Sequence, residues 1–306
     1  MTMADSASHL VVGPGALGRT LAHALAGVFP VTLIARRPLP ARQRLTTPEG
    51  KTVTQRLSVA CMATLEDTAP AFVHLTTKTY AAEAAAEAAA RRIAPGTPLV
   101  LWQNGFAVQP RLTARWPGPV LCASTTEGAY VVDDATTVHA GRGASVIGDL
   151  RGRHAGLARA LARALDRAGL AASAVDDIET RLWQKLAVNA AINPLAALYE
   201  VPNGALAEPR FAAEREAVIA EVAAILAADG VAPPSGGGQD GWQTLVEGVM
   251  KTTAGNRASM LQDIDAGRAT ERDAILAPLI RRASHHCLPC PALCALNARL
   301  AEKEAR

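Results

Sequence analysis

The chain has 306 residues, 49% of them hydrophobic, 19% charged and 4% aromatic, with 31 basic against 28 acidic side chains and a net charge of +3. At roughly 100–200 residues per domain this length predicts two domains, and no apolar run reaches the ~18 residues that would cross a bilayer. So slight and dispersed a charge excludes the clustered basic stripe of a nucleic-acid binder, and five cysteines, an odd number, make no disulfide framework, so reduced thiols in the cytoplasm are expected.

Taken from the N-terminus, MTMADSASHL lacks a basic segment followed by an apolar stretch and a cleavage site, and no export is expected. Residues 9–13, HLVVG, are a short apolar run ended by glycine, and residues 16–28, ALGRTLAHALAGV, carry apolar side chains at helical spacing. This predicts a strand, a tight turn and a helix, and the β-branched run VTLIA at 31–35 completes a βαβ unit. AFVHLT (71–76) and PLVLW (98–102) predict buried strands, with an alanine-rich helix between them that ends at Pro95-Gly96. Strands alternating with helices imply a parallel sheet. From about residue 176 the pattern changes to four helical segments, broken only by the Pro- and Gly-rich VAPPSGGGQDG. The predicted domains are therefore an α/β dinucleotide-binding domain over 1–176 and a helical domain over 177–306.

The turn after the first strand reads GPGALG, a GxGxxG in the strand-turn-helix context that makes it informative. Gly13 serves the tight turn, Gly15 lets backbone approach a pyrophosphate, and Gly18 allows the helix to pack closely on the strand. The phosphates would rest on the open N–H groups that begin the helix, around Ala16 and Leu17, at its positive dipole end. After the second strand come Arg36 and Arg37, where an NAD site usually offers a carboxylate. A guanidinium suits a 2′-phosphate and favours NADP(H); the alternative is a pair of solvated surface arginines.

In LWQKLAVNAAINPLAAL, Lys185, Asn189 and Asn193 fall four apart on one face of a helix, a polar stripe on an otherwise apolar segment. Such a stripe lines a cleft whose ligand satisfies it, or it faces solvent or another helix. The segment NRASMLQDIDAGRATE sets Asn256, Ser259, Asp263 and Glu271 around Met260, Leu261 and Ile264, and by itself reads as an amphipathic surface segment.

Together these pieces resemble the ketopantoate reductase (2-dehydropantoate 2-reductase) family over nearly the whole chain. The resemblance is carried by GPGALG, TTKTY, QNG at 103–105, STTEGA at 124–129, KLAVNAAINPLAAL, PNG at 202–204 and NRASMLQDIDAGRATE. It implies an NADPH-dependent enzyme of pantothenate synthesis, with a Rossmann domain followed by a helical domain like that of 6-phosphogluconate dehydrogenase and the substrate between them. It implies Lys185 as general acid, assisted by Glu271, and substrate contacts from Asn104, Asn189, Asn193, Asn256 and Ser259. Cofactor contacts would come from Gly13, Gly15, Ala16, Leu17, Gly18 and Asn104, with Arg36 and Lys78 at the 2′-phosphate end. The partners implied are a small 2-keto acid and a second copy in a homodimer, with neither nucleic acid nor membrane. The chemistry agrees, because hydride delivery to a ketone builds negative charge on oxygen that an ammonium can stabilise and then protonate.

The chain departs from the family after Glu271, where Arg272-Asp273 and then ILAPLI stand in place of an apolar residue, Asp and a later Asn-Gly. Pro278 is a candidate to kink or end that helix, and a different branched 2-keto acid is the alternative substrate. A non-catalytic NADP(H) sensor is the alternative of another class, against which Lys185 and Glu271 argue. Near the C-terminus, HHCLPCPALC holds His285, His286, Cys287, Cys290 and Cys294 but no second CxxC half, so no metal site is expected and the cysteines are read as small buried hydrophobes.

Overall fold

The computed structural model describes residues 7–305. The stretch Met1–Ser6, on which part of the export expectation rests, lies outside them. By its internal contacts the chain divides into two units: one runs up to Gln103 and resumes over Val108–Ile178, and the other comprises Asn104–Ala107 and everything from Glu179 onward. The helical half thus includes four residues from the middle of the α/β half, which no helical pattern announces.

In the first unit, β1 (His9–Val12), α1 (Ala16–Ala26) and β2 (Val31–Ile34) form the expected βαβ unit, with β1 and β2 paired in parallel, Val12 against Ile34. They are followed by β3 (Arg42–Thr46), β4 (Thr52–Arg56), β5 (Ser58–Ala60), β6 (Phe72–Leu75), α2 (Thr79–Ala90), β7 (Leu99–Leu101), α3 (Gln109–Arg115) and β8 (Val120–Thr125). The unit continues with β9 (Gly128–Val131), β10 (Thr136–Gly141), β11 (Ser145–Gly148), α4 (Ala155–Arg167) and β12 (Ala172–Ala174). The main sheet runs β12-β11-β8-β7-β6-β1-β2-β5, parallel except where β11 meets β8. A second sheet, β4-β3-β10-β9, stands apart from it.

The central strands β1, β6 and β7 are buried along their length because helices cover the sheet, as a parallel sheet requires, while β2, β5 and β12 toward its edges are only partly buried. Leu21 and Leu25 of α1 and Leu161 and Leu165 of α4 join Val100, Leu121 and Ile147 of the strands in one core. A polar chain crosses this core. Trp102 Nε1 lies 3.2 Å from His74 Nδ1, and His74 Nε2 lies 2.9 Å from His9 Nδ1. Indole nitrogen only donates, so His74 accepts at Nδ1 and donates from Nε2 to His9. Burial holds both imidazoles neutral, with the pKa of His9 pushed down to about 4 and that of His74 well below the usual value.

The second unit is built from α5 (Ile178–Tyr199, whose first residue belongs to the other unit), α6 (Pro209–Ala228), α7 (Gly238–Thr252), α8 (Ser259–Asp265), α9 (Arg272–His285) and α10 (Pro291–Glu304). Its core includes Trp183, Trp242, Leu186, Leu226 and Leu279, all nearly inaccessible to solvent. Pro278 does not end α9, which continues to His285. Having no N–H, Pro278 leaves the Ala274 carbonyl without its helical i+4 donor, and it is against this carbonyl that Gly105 packs. A Cβ on Gly105 would stand 2.0 Å from the Ala274 oxygen, and Gly105 holds φ at +78°, so glycine is required there on both counts.

The C-terminal cysteines correct the expectation of burial. Cys287 and Cys294 are exposed and Cys290 half-buried, because they lie at the junction of α9 and α10, where the chain turns at the surface. Among the described residues no helix is long and apolar enough to cross a membrane.

Candidate active site

The first unit presents a backbone cradle. Gly13 turns the chain out of β1 at φ +116°, a conformation L side chains rarely adopt, and a Cβ there would lie 2.8 Å from the Thr77 nitrogen. The Thr76 hydroxyl clamps the turn, 2.8 Å from the Gly13 carbonyl and 3.1 Å from that of Val12. Gly18 sits so close beneath it that a Cβ would come within 2.0 Å of the Gly13 oxygen. Gly15 differs from both: it is exposed, and nothing lies within 4 Å of where its Cβ would be. Packing therefore demands glycine at 13 and 18, while at 15 the missing side chain leaves backbone open to a ligand. No side chain caps α1 and no acidic residue occupies its first turn, where Ala16 and Leu17 are half-buried, so the positive helix end faces outward unneutralised.

The cationic groups around this cradle have different states. Arg36, just past β2, is exposed and makes no hydrogen bond or ion pair with another described residue. Arg37 is engaged in a two-pronged ion pair with Asp134, which holds the Asp134 carboxyl below its ordinary range. Lys78 is half-buried at the residue preceding α2. Sequence reasoning passed over Arg19, whose buried guanidinium ties the Pro14 carbonyl of the glycine loop to the Asp133 carbonyl, each at 2.8 Å. It also passed over Gln103, whose amide donates to the carbonyls of Leu75 and Thr77 while its own oxygen, like the Thr77 hydroxyl, is buried without a partner. Both orphaned atoms lie just beyond the carboxyl ends of parallel strands, where such sheets bind ligands. An open helix end, a bare Gly15 and unsatisfied buried oxygens fit a dinucleotide.

The second unit presents side chains. Lys185, Asn189 and Asn193 line one face of α5, each half-buried, while Leu186, Ala187, Val188, Ala190, Ala191 and Ile192 between them are buried. The amides of Asn189 and Asn193 make no hydrogen bond with another described residue, which removes the inter-helix network as an explanation of the stripe. Glu271, buried at the residue preceding α9, accepts a hydrogen bond from Asn104 Nδ2 at 3.2 Å, across 167 positions of sequence. Burial pushes the Lys185 ammonium down to about 8, and the Glu271 carboxylate opposes that shift. Lysine, glutamate and Asn104 thus form one electrostatic group. Asn256 and Ser259 are exposed, in the loop before α8 and at its first residue, and the structure brings neither side chain into hydrogen-bond contact with this group. The Asn256 backbone instead accepts from the Asn203 N–H at 3.0 Å.

The family model described as Ketopantoate reductase PanE/ApbA matches residues 9–152, and that for its C terminal matches residues 177–304. The 2-dehydropantoate 2-reductase of Archaeoglobus fulgidus is 34% identical over 284 residues, 92% of each chain. Among solved structures, the fold is similar to that of D-mandelate dehydrogenase with NADH and anilino(oxo)acetate (TM-score 0.90, 20% identity, 97% of this chain and 98% of that one). It is also similar to that of dimeric ketopantoate reductase from Staphylococcus aureus (TM-score 0.80, 21% identity, 97% and 99%). At such identities the structural likenesses speak for the fold alone. The matches to both halves in order, and a relative aligned over nine-tenths of its length, show that the chain belongs to the ketopantoate reductase family of oxidoreductases.

Proposed function

We propose that the protein reduces 2-dehydropantoate to (R)-pantoate with NADPH, Lys185 being the proton donor. The observation that carries this reading is the group Lys185, Glu271 and Asn104 beside two half-buried, unengaged asparagine amides on the same helix. A nicotinamide dinucleotide held there would supply the hydride for reduction of the keto group. Lys185 holds its proton at Nζ in neutral solution, since its pKa of about 8 lies above pH 7, and gives it to the oxygen as negative charge develops there. A lysine tuned to about 8 parts with that proton more readily than one at ~10.4, while Glu271 keeps it charged. Asn189 and Asn193 donate to the substrate's carboxylate and terminal hydroxyl without competing for the proton, with Asn256 and Ser259 as further contacts.

The cofactor is held by the backbone of Gly13, Gly15, Ala16, Leu17 and Gly18, with Asn104 as a further contact. Arg36 is the reader of the 2′-phosphate, assisted by Lys78, because Arg37 is already satisfied by Asp134. This supports NADPH over NADH, since an unengaged guanidinium favours a phosphate dianion over a hydroxyl. We further propose a homodimer, which light scattering on the purified protein tests.

The deciding assay follows NADPH oxidation with ketopantoate, 2-ketoisovalerate and phenylglyoxylate side by side. The reading expects ketopantoate to be turned over with the highest kcat/KM. Comparable efficiency on 2-ketoisovalerate would move the assignment to another branched 2-keto acid, the alternative suggested by Arg272 and the ILAPLI that follows.

A further inference from the structure

Arg272, the residue after Glu271, is held in a network that no reading of the motif anticipates. Its Nε lies 3.2 Å from Glu304 Oε2 at the end of α10, and its NH1 donates to both the backbone and side-chain oxygens of Asn297, each at 3.1 Å. Glu304 thus pairs with the Arg272 guanidinium by charge and accepts a hydrogen bond from the Thr270 hydroxyl, and that same hydroxyl accepts the Arg272 backbone N–H at 3.1 Å. Thr270 is buried, and the side chains of Arg272 and Glu304 are only 19% and 22% exposed. One carboxylate thus grips the residues on either side of Glu271, at the point where the chain enters α9.

From this juxtaposition we infer that Glu304 and Arg272 are positioning residues, which fix the backbone at Glu271 so that its carboxylate stays on Asn104 and toward Lys185. The inference rests on the role of Glu271 proposed above. Glu271 has two braces: Gly105, seated on the Ala274 carbonyl one turn into α9, carries Asn104, and α10 holds the opposite flank through Glu304 and Asn297. A carboxylate that must sit beside a lysine without swinging toward solvent needs such fixing, because small misplacements cost large factors in rate. Glu304 is 33 positions beyond Glu271 and contacts Arg272 and Thr270 beside it, so it acts through the segment it holds.

The test is a double-mutant cycle on ketopantoate reduction, with kcat and both KM values measured for wild type, Glu271→Gln, Glu304→Ala and the pair. Glu304→Ala is expected to lower kcat by about 10-fold with the KM for NADPH within about 2-fold of wild type, and to add less than about 2-fold in the Glu271→Gln background. Glu304→Gln, which keeps an acceptor for Thr270 but loses the charge opposite Arg272, is expected to recover part of the loss, to within about 3-fold of wild type. It stands in for the alanine variant should that one not fold. Arg299→Gln, which removes a different ion pair of α10 with Glu214, should leave kcat unchanged. If Glu271→Gln is impaired while Glu304→Ala has wild-type kcat, or if the two losses multiply fully, the positioning role is overturned. If Glu271→Gln is itself unimpaired, the proposed role of Glu271 is what fails.

Discussion

The two units form their sites from different materials. In the first the candidate ligand surface is main chain: a turn at Gly13, an open helix end after Gly15 and a close contact at Gly18. In the second it is side chain, gathered from three separate stretches at Asn104, Lys185–Asn193 and Glu271. A backbone cradle recognises charge and shape and tolerates no added carbon, whereas a side-chain cluster sets protonation and can be retuned one residue at a time. Substitutions in the first unit should therefore change binding or folding, and those in the second should change turnover.

The strongest test of that division is Lys185→Ala, expected to lower turnover by about 10²–10⁴-fold while NADPH, titrated by its fluorescence, binds as before. Parallel loss of NADPH affinity would erase the contrast between the units. Next in size, Arg36→Ala should weaken NADPH by about 10–100-fold and NADH far less, while Arg37→Ala, whose guanidinium Asp134 already holds, should change neither by more than about 3-fold. Equal losses for the two dinucleotides would show that another group reads the phosphate. Within the cradle, Gly18→Ala should destabilise the fold by about 1–3 kcal/mol, since its methyl would collide with the Gly13 oxygen. Gly15→Ala should stay within about 0.5 kcal/mol of wild type in stability yet weaken dinucleotide binding, and calorimetry alongside NADPH titration separates the two outcomes.

A smaller effect distinguishes the units by pH. His9 and His23 have pKa values pushed down to about 4 by burial, and His74 lies lower than usual for the same reason, all in the first unit. Above pH ~6.5 neither the folded nor the unfolded chain protonates them. Between there and about 4 the unfolded chain takes up protons that the folded unit refuses, so stability falls across that window. The melting temperature should drop by several degrees from pH 7 to pH 5, and a flat profile would mean these imidazoles are not held neutral.

The βαβ unit and the helices of the second half were legible because each is a local period: apolar runs bounded by glycine, or side chains recurring every three to four residues. The small second sheet was not. In β3 only Gln43 and Leu45 are buried and β4 is mostly exposed, so neither strand carries an alternation long enough to stand out among threonines and charges. Pro278 does not end α9 but marks the place where a released carbonyl receives the Asn104–Ala107 loop, and no spacing within one segment encodes a contact made across more than 160 residues. The polar stripe of α5 could be read as a stripe, but whether it met a helix, solvent or a ligand depended on what folded against it. The cysteines show the same limit: the absence of a second CxxC half and the small, apolar character of free cysteine suggested burial, and the position of the α9–α10 turn decided otherwise.

The most direct measurement of the central claim is the pH dependence of kcat/KM for ketopantoate reduction, which reports the free enzyme's essential groups. A half-buried, desolvated lysine acting as the acid predicts activity that falls as pH rises through about 8 and a limb that is lost in Lys185→Ala. A limb retained unchanged in that variant, or wild-type activity holding level up to pH ~10, would contradict it.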